Sequence, residues 1–211
     1  MPSVEAPTDE QLAIAAQRGC RASFEMIVVR MQGPLLGYLQ RLSVSREDAE
    51  DLVQDTFVRA YRKLDRYHEN WRLSTWLYTI ARRLWINRHR QMQRSRQKID
   101  ESAGEIESMD RSRDPAAALI AVEERQQLWQ IAAAQLSEPE LSALWLFYVE
   151  EMPVAEIGRV LKRTTAGVKS IMFRARRRLL PAFEATFTIP RVAKAATSSI
   201  PETDDAPQTV C

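Results

Sequence analysis

The chain has 211 residues, 45% hydrophobic and 27% charged, which fits one or two folded domains and excludes an intrinsically disordered protein. No apolar run reaches the roughly 18–20 residues of a membrane span, and the opening MPSVEAPTDE lacks the basic and apolar parts of a secretory signal, so the sequence reads as cytoplasmic with no direct membrane insertion. The two cysteines, Cys20 and Cys211, sit far apart with no CxxC and no neighbouring His, which excludes a disulfide scaffold and a structural zinc site and calls for no cofactor.

In chain order the predicted elements are all helical. A short helix covers about 9–18, and a longer one runs from about 21 to 42 with Gly33-Pro34 as a predicted kink or interruption. Ser45-Arg46-Glu47-Asp48 resembles a capping box, with Ser45 as the cap and Asp48 reaching back. Behind it Ala49, Leu52, Val53, Phe57, Ala60, Tyr61 and Leu64 recur at three- and four-residue steps, predicting an amphipathic helix over 46–65. Ser74 is placed to cap a further helix with Leu77, Ile80, Ala81 and Leu84 on its buried stripe.

Residues 97–114, QKIDESAGEIESMDRSRD, are acidic, aperiodic and contain Gly and Ser, so they read as a flexible acidic linker. Asp114-Pro115 restarts helix to about Leu136, and Ser137-Glu138-Pro139-Glu140 opens the next as a second capping box. Two more helices, Val154–Leu161 and Thr165 to about Leu180, flank a short turn. The fold class is therefore all-α: a bundle over 9–96, the linker over 97–114, a second helical domain over 115–184, and a disordered extension over 185–211.

The net charge of +2 conceals two basic blocks. Residues 59–98 carry 12 basic against 2 acidic side chains, and residues 159–178 carry 8 against none. Two such blocks in an otherwise acidic chain point to two contacts with one polyanion, against the plainer reading of two solvated helix faces. The second block lies on the last helix of the pair around the turn. Val168, Met172 and Ala175 face inward there, while Thr164, Thr165, Lys169, Ser170, Arg174, Arg176, Arg177 and Arg178 face out. That is the pattern of a helix-turn-helix whose second helix reads base edges with its first turn and holds phosphates with flanking arginines.

The first block interleaves its cations with Tyr61, Tyr67, Trp71, Trp76, Tyr78 and Trp85. Rings for bases to stack on, beside cations that track a backbone, suit single-stranded nucleic acid, and Trp76 and Trp85 fit a core position equally well.

DAEDLVQDTFVRAYRKLDRY (48–67) followed by LSTWLYTIAR (73–82) resembles region 2 of extracytoplasmic-function (ECF) sigma factors. LSEPELSALWLFYVEEMPVAEIGRVL (136–161) with AGVKSIMFRARRRL (166–179) resembles their region 4. The resemblance implies a sigma factor that binds core RNA polymerase and directs promoter-specific initiation. In the family the helix matching 48–64 docks on the clamp helices of the largest catalytic subunit, which assigns Asp51, Gln54 and Asp55 to that contact. The loop matching 66–73 and the helix after it melt the −10 element and capture flipped bases, which assigns His68, Asn70, Trp71, Arg72, Trp76, Arg82, Arg83 and Arg88. The helix over 165–178 would read the −35 element as duplex. The resemblance also implies an anti-sigma factor as a partner.

Five positions depart from the family. His68-Glu69 stand where Arg-Gly is frequent, so the −10 base preference does not carry over. Lys162 stands at a turn position where glycine is common, Thr164 replaces a frequent proline, and Ile171 replaces a frequent arginine, removing one expected DNA contact. The rival readings are a sigma-like decoy that sequesters an anti-sigma factor and a two-domain repressor. An enzyme is rejected, since no nucleophile–base pair, DxD, HExxH or Gly-rich phosphate loop is present.

Overall fold

Thr8 starts the first helix. Its hydroxyl accepts the Gln11 N–H at 3.2 Å while the Gln11 side chain accepts the Thr8 N–H at 2.9 Å, so two otherwise unpaired amides satisfy each other. From there the computed structural model, which describes residues 6–43, 45–100 and 120–186, contains only helical regular elements among those residues. They are α1 (Asp9–Gln17), α2 (Arg21–Leu42), α3 (Arg46–Arg62), a 3-10 turn (Leu64–Arg66), α4 (Leu73–Asp100), α5 (Ile120–Gln135), α6 (Glu138–Tyr148), α7 (Val154–Leu161) and α8 (Thr165–Thr186).

Three predicted details change, each for a tertiary reason. α2 runs unbroken through Pro34. Met31, Leu35, Tyr38 and Leu39 are buried on either side of the proline, and that burial outweighs the one hydrogen bond it forfeits. α4 begins at Leu73, so Ser74 lies inside the first turn instead of capping it. The cap comes from α1, where the Glu10 carboxylate accepts the Leu73 N–H at 3.1 Å. At α3 the Ser45 hydroxyl accepts the Asp48 N–H at 3.1 Å as predicted, but the Asp48 carboxylate turns to Arg88 at 3.4 Å.

α4 also continues to Asp100, four residues into the segment assigned to the linker. Its sequence up to there holds good helix formers and no Gly or Pro. The remainder of that segment (101–114), the predicted helix start at 115–119 and the extension from 187 lie outside the described residues.

The second half is organised around its turns. At α6 the Glu140 carboxylate accepts both the Ser137 N–H at 3.0 Å and its hydroxyl at 2.7 Å. Between α7 and α8, Lys162 sits at φ 54°, ψ 50°, the left-handed conformation that explains why glycine is common there. The tight return also needs Gly158, since a Cβ there would stand 2.7 Å from the Arg163 carbonyl oxygen. Thr164, which replaces the frequent proline, caps α8 by accepting the Gly167 N–H at 3.1 Å.

One core runs through both halves. Leu12, Ile27, Leu39, Leu52, Phe57 and Leu77 fill the α1–α4 bundle, while Leu146, Ile157, Val160, Val168 and Met172 fill the α5–α8 unit. Side chains of this size contribute about 1.5–3 kcal/mol each when fully buried. Between the halves α2 and α4 pack on α5, α6 and α7. Tyr38 and Tyr78 meet edge-on with centroids 5.2 Å apart, and the Tyr38 hydroxyl meets the Ser142 hydroxyl at 2.9 Å. Burial first, and the nearby Glu138 carboxylate second, hold the Tyr38 hydroxyl well above its ordinary pKa, so it stays protonated.

Candidate nucleic-acid and polymerase interfaces

α8 buries Val168, Ile171, Met172, Ala175 and Leu179 and turns Thr164, Thr165, Lys169, Ser170, Arg174, Arg176, Arg177 and Arg178 outward. The alternation follows from helical periodicity against the α6–α7 floor. Ile171 is only 8% exposed, so the loss of a DNA-side arginine read from the sequence does not apply: this position faces the core. The eight outward residues are not equally available. Arg176 donates to the Tyr148 hydroxyl at 2.9 Å and lies over the Phe147 and Tyr148 rings at 5.8 and 5.4 Å. Arg178 pairs with Glu140 at 2.8 Å. Burial pushes the Glu140 carboxyl upward, but the Ser137 hydroxyl and amide and the Arg178 and Arg174 cations outweigh it and hold the group below its usual range.

The aromatic loop is built from behind. The Gln17 side-chain amide donates to the Leu64 and Tyr67 carbonyls at 2.6 and 2.7 Å, and the Tyr67 hydroxyl donates to the Trp71 carbonyl at 2.7 Å. Tied at those points, the loop leaves His68, Asn70, Trp71 and Arg72 exposed on its outer side. Trp76 is half-buried with its ring 5.4 Å from that of Tyr67. Tyr67 and Tyr78, which the sequence offers as stacking rings, are instead core residues. Trp85 is half-buried and stacks on His89 with centroids 4.8 Å apart.

Along α4 the predicted arginines diverge. Arg83 is exposed, whereas Arg82 is clamped by Glu138 and Arg88 lies between Asp48 at 3.4 Å and Asp51 at 3.2 Å. On α3, Leu52, Val53, Thr56 and Phe57 face the core, which leaves Asp51, Gln54 and Asp55 on one exposed face with Val58 beside them. The residues that sequence reasoning passed over are Gln17, Glu138, Glu156 and Arg159. Gln17 is a lone polar residue in a helix, Glu138 is legible only as part of a capping box, and nothing local marks the other two.

Residues 27–95 match the Sigma-70 region 2 family model, and residues 128–179 match the Sigma-70, region 4 model. The RNA polymerase sigma-H factor of Pseudomonas aeruginosa is 30% identical over 177 residues, covering 80% of this chain and 90% of that protein. The ECF RNA polymerase sigma-E factor of Escherichia coli K12 is 29% identical over 175 residues, covering 80% and 91%. The chain belongs to the ECF sigma factors of the sigma-70 family.

The ECF sigma factor thus has the region 2 match over α2–α4 and the region 4 match over α5–α8, in that order along one chain. Its function is that of the family: it binds core RNA polymerase and directs promoter-specific transcription initiation, and the decoy reading is not favoured. Two solved structures share the fold. CnrH, in complex with the cytosolic domain of CnrY, superposes with a TM-score of 0.61 at 21% identity over 84% of this chain and 98% of that one. RpoE of Bartonella quintana, in complex with the anti-sigma factor NepR, gives 0.63 at 24% identity over 77% and 98%. Among the described residues of the ECF sigma factor no helix is long and apolar enough to cross a membrane.

Proposed function

We propose that α8 of this sigma factor reads the −35 element as duplex, with Thr165, Lys169 and Ser170 toward base edges and Arg174 and Arg177 on phosphates. The observation that carries this reading is the single outward face of α8, which gathers those residues behind the Lys162 turn and has no acidic side chain from Thr165 to Arg178. Thr164 acts here as the cap that sets the helix start. Arg176 and Arg178, both partly engaged inside the half, serve as secondary phosphate contacts.

His68, Asn70, Trp71 and Arg72, with Trp76 and Arg83 behind them, melt the −10 element and hold its non-template bases. Stacking on Trp71 contributes about 1–3 kcal/mol per base. Asp51, Gln54 and Asp55 dock on the clamp helices of the polymerase, with Val58 as the apolar centre of that face. Arg88 steadies Asp51 from α4. The chain works in the cytoplasm and carries out no catalysis of its own. An anti-sigma factor is its regulator, a reading supported by the two neighbours whose structures contain a bound second protein, NepR in one and the cytosolic domain of CnrY in the other.

The test is run-off transcription with bacterial core polymerase on a pool of genomic promoter fragments. The expected outcome is specific initiation that core alone does not give, with the enriched fragments sharing a −35 and a −10 sequence. Stable binding to core without initiation on any fragment would overturn it.

A further inference from the structure

Four residues along one edge of the aromatic loop and α4 are each met by a side chain from the region 4 half. Arg82 donates to both oxygens of Glu138, at 2.6 and 2.8 Å, with the two side chains 13% and 15% exposed. Glu138 also accepts from the Ser142 hydroxyl at 2.9 Å, which joins this pair to the buried Tyr38. Two helical turns earlier, Thr75 donates to Glu156, whose other oxygen faces Arg72 at 3.5 Å. At the loop itself the Arg159 guanidinium lies 5.3 Å from the centroid of the Trp71 ring.

Thr75 and Arg82 are seven residues apart on α4, hence on one face, and Arg72 and Trp71 continue that face into the loop. A single strand lying there would bring phosphates to Arg72 and Arg82 and a base to Trp71. In this structure Glu138 clamps Arg82, Glu156 faces Arg72 at 3.5 Å with that arginine still 58% exposed, and the Arg159 guanidinium lies over one side of the Trp71 ring, which stays 40% exposed. The outward face of α8, by comparison, stays open to solvent.

We infer that the chain is self-inhibited: α6 and α7 occupy the single-strand face of the loop and α4, with Glu138 and Glu156 in the place of phosphates, and must leave before that face can take DNA. This rests on the reading of Trp71 and Arg72 as single-strand contacts given above, and on the assignment of Arg82 to the same strand by the family resemblance. The energetics are asymmetric. In the closed chain Arg82 is desolvated and depends on Glu138, whereas in an open chain water serves both groups, so neutralising the carboxylate penalises only the closed form. The apparent affinity for a single strand is its intrinsic affinity scaled by the open fraction.

The experiment uses the full chain and a Glu138→Gln/Glu156→Gln variant, with a fluorescent random-sequence single strand of roughly 12 nucleotides, within the span such surfaces cover. A duplex of the same length serves as the second probe. The variant should bind the single strand about tenfold more tightly, as a rise in the open fraction requires, with duplex affinity unchanged. A second measurement needs no change at the interface. Dyes on Cys20 and on Glu184→Cys, in a Cys211→Ser background, should lose energy transfer when the single strand saturates the chain with Glu138 and Glu156 intact. Equal single-strand affinity in two chains that both bind duplex would overturn the inference, as would energy transfer that stays constant at saturation. Binding of neither probe by either chain would instead remove the nucleic-acid reading on which it rests.

Discussion

In the sequence the two basic blocks look alike, 12 basic against 2 acidic side chains over residues 59–98 and 8 against none over 159–178. In the folded chain they behave differently. The region 4 block keeps Lys169, Arg174 and Arg177 on an open helix face, whereas the region 2 block has Arg82 buried against Glu138, Arg72 facing Glu156, and Arg88 between two aspartates. The difference comes from the surroundings of each helix. α8 lies across the floor of its own half with one side to solvent, while α4 is packed on α3 on one flank and on α7 on the other. A count of cations therefore measures how much positive charge a segment carries, and the tertiary neighbours decide how much of it a polyanion can reach.

Removing cations one class at a time sharpens that contrast. Arg82→Ala should have the largest effect, because it leaves Glu138 at 15% exposure without its counter-charge in the closed chain; the expected loss is about 1.5 kcal/mol, the size of the tenfold opening above, read as a lower urea midpoint. An unchanged midpoint would place Arg82 with the surface cations and erase the distinction. Arg178→Ala leaves Glu140, 9% exposed, with its Ser137 amide and hydroxyl donors, and the lost arginine is 52% exposed and already solvated, so the loss should be about 0.5–1 kcal/mol in the same assay. A cost as large as that of Arg82 would mean that the region 4 block is also structural. Arg174→Ala with Arg177→Ala should shift stability by less than about 0.5 kcal/mol, the usual range for exposed sites. In duplex binding the same pair should lower the log–log salt slope by about 1.8, at roughly 0.9 for each phosphate no longer neutralised. A slope that did not move would take both residues off the phosphates.

Much of the fold is legible from local pattern. The stripe from Ala49 to Ala60, the Ser137–Glu140 cap and the inward Val168, Met172 and Ala175 all lie where helical periodicity puts them, because burial of an apolar stripe and satisfaction of end amides are short-range requirements. The outward residues of α8 follow from the same periodicity by subtraction. The misplaced features share one cause. The cap of α4 is Glu10, 63 residues away, and the persistence of α2 through Pro34 depends on burial by other helices. Tyr78 is drawn into the core beside Tyr38, on α2, whereas Ile171, three residues after Val168 and four before Ala175, falls inward by the same periodicity.

The sequence by itself determined the helical class, the order of the two halves, the turn that presents α8 and the residues that face outward from it, because helix periodicity, caps and a left-handed turn residue act over three or four positions. Only the tertiary structure decided which cations of the first block are held by carboxylates, since Arg82 meets Glu138 across 56 residues of chain and Thr75 meets Glu156 across 81. Pairings over such separations depend on how the two halves pack, and a carboxylate that quenches an arginine from there leaves no trace in the local pattern of either.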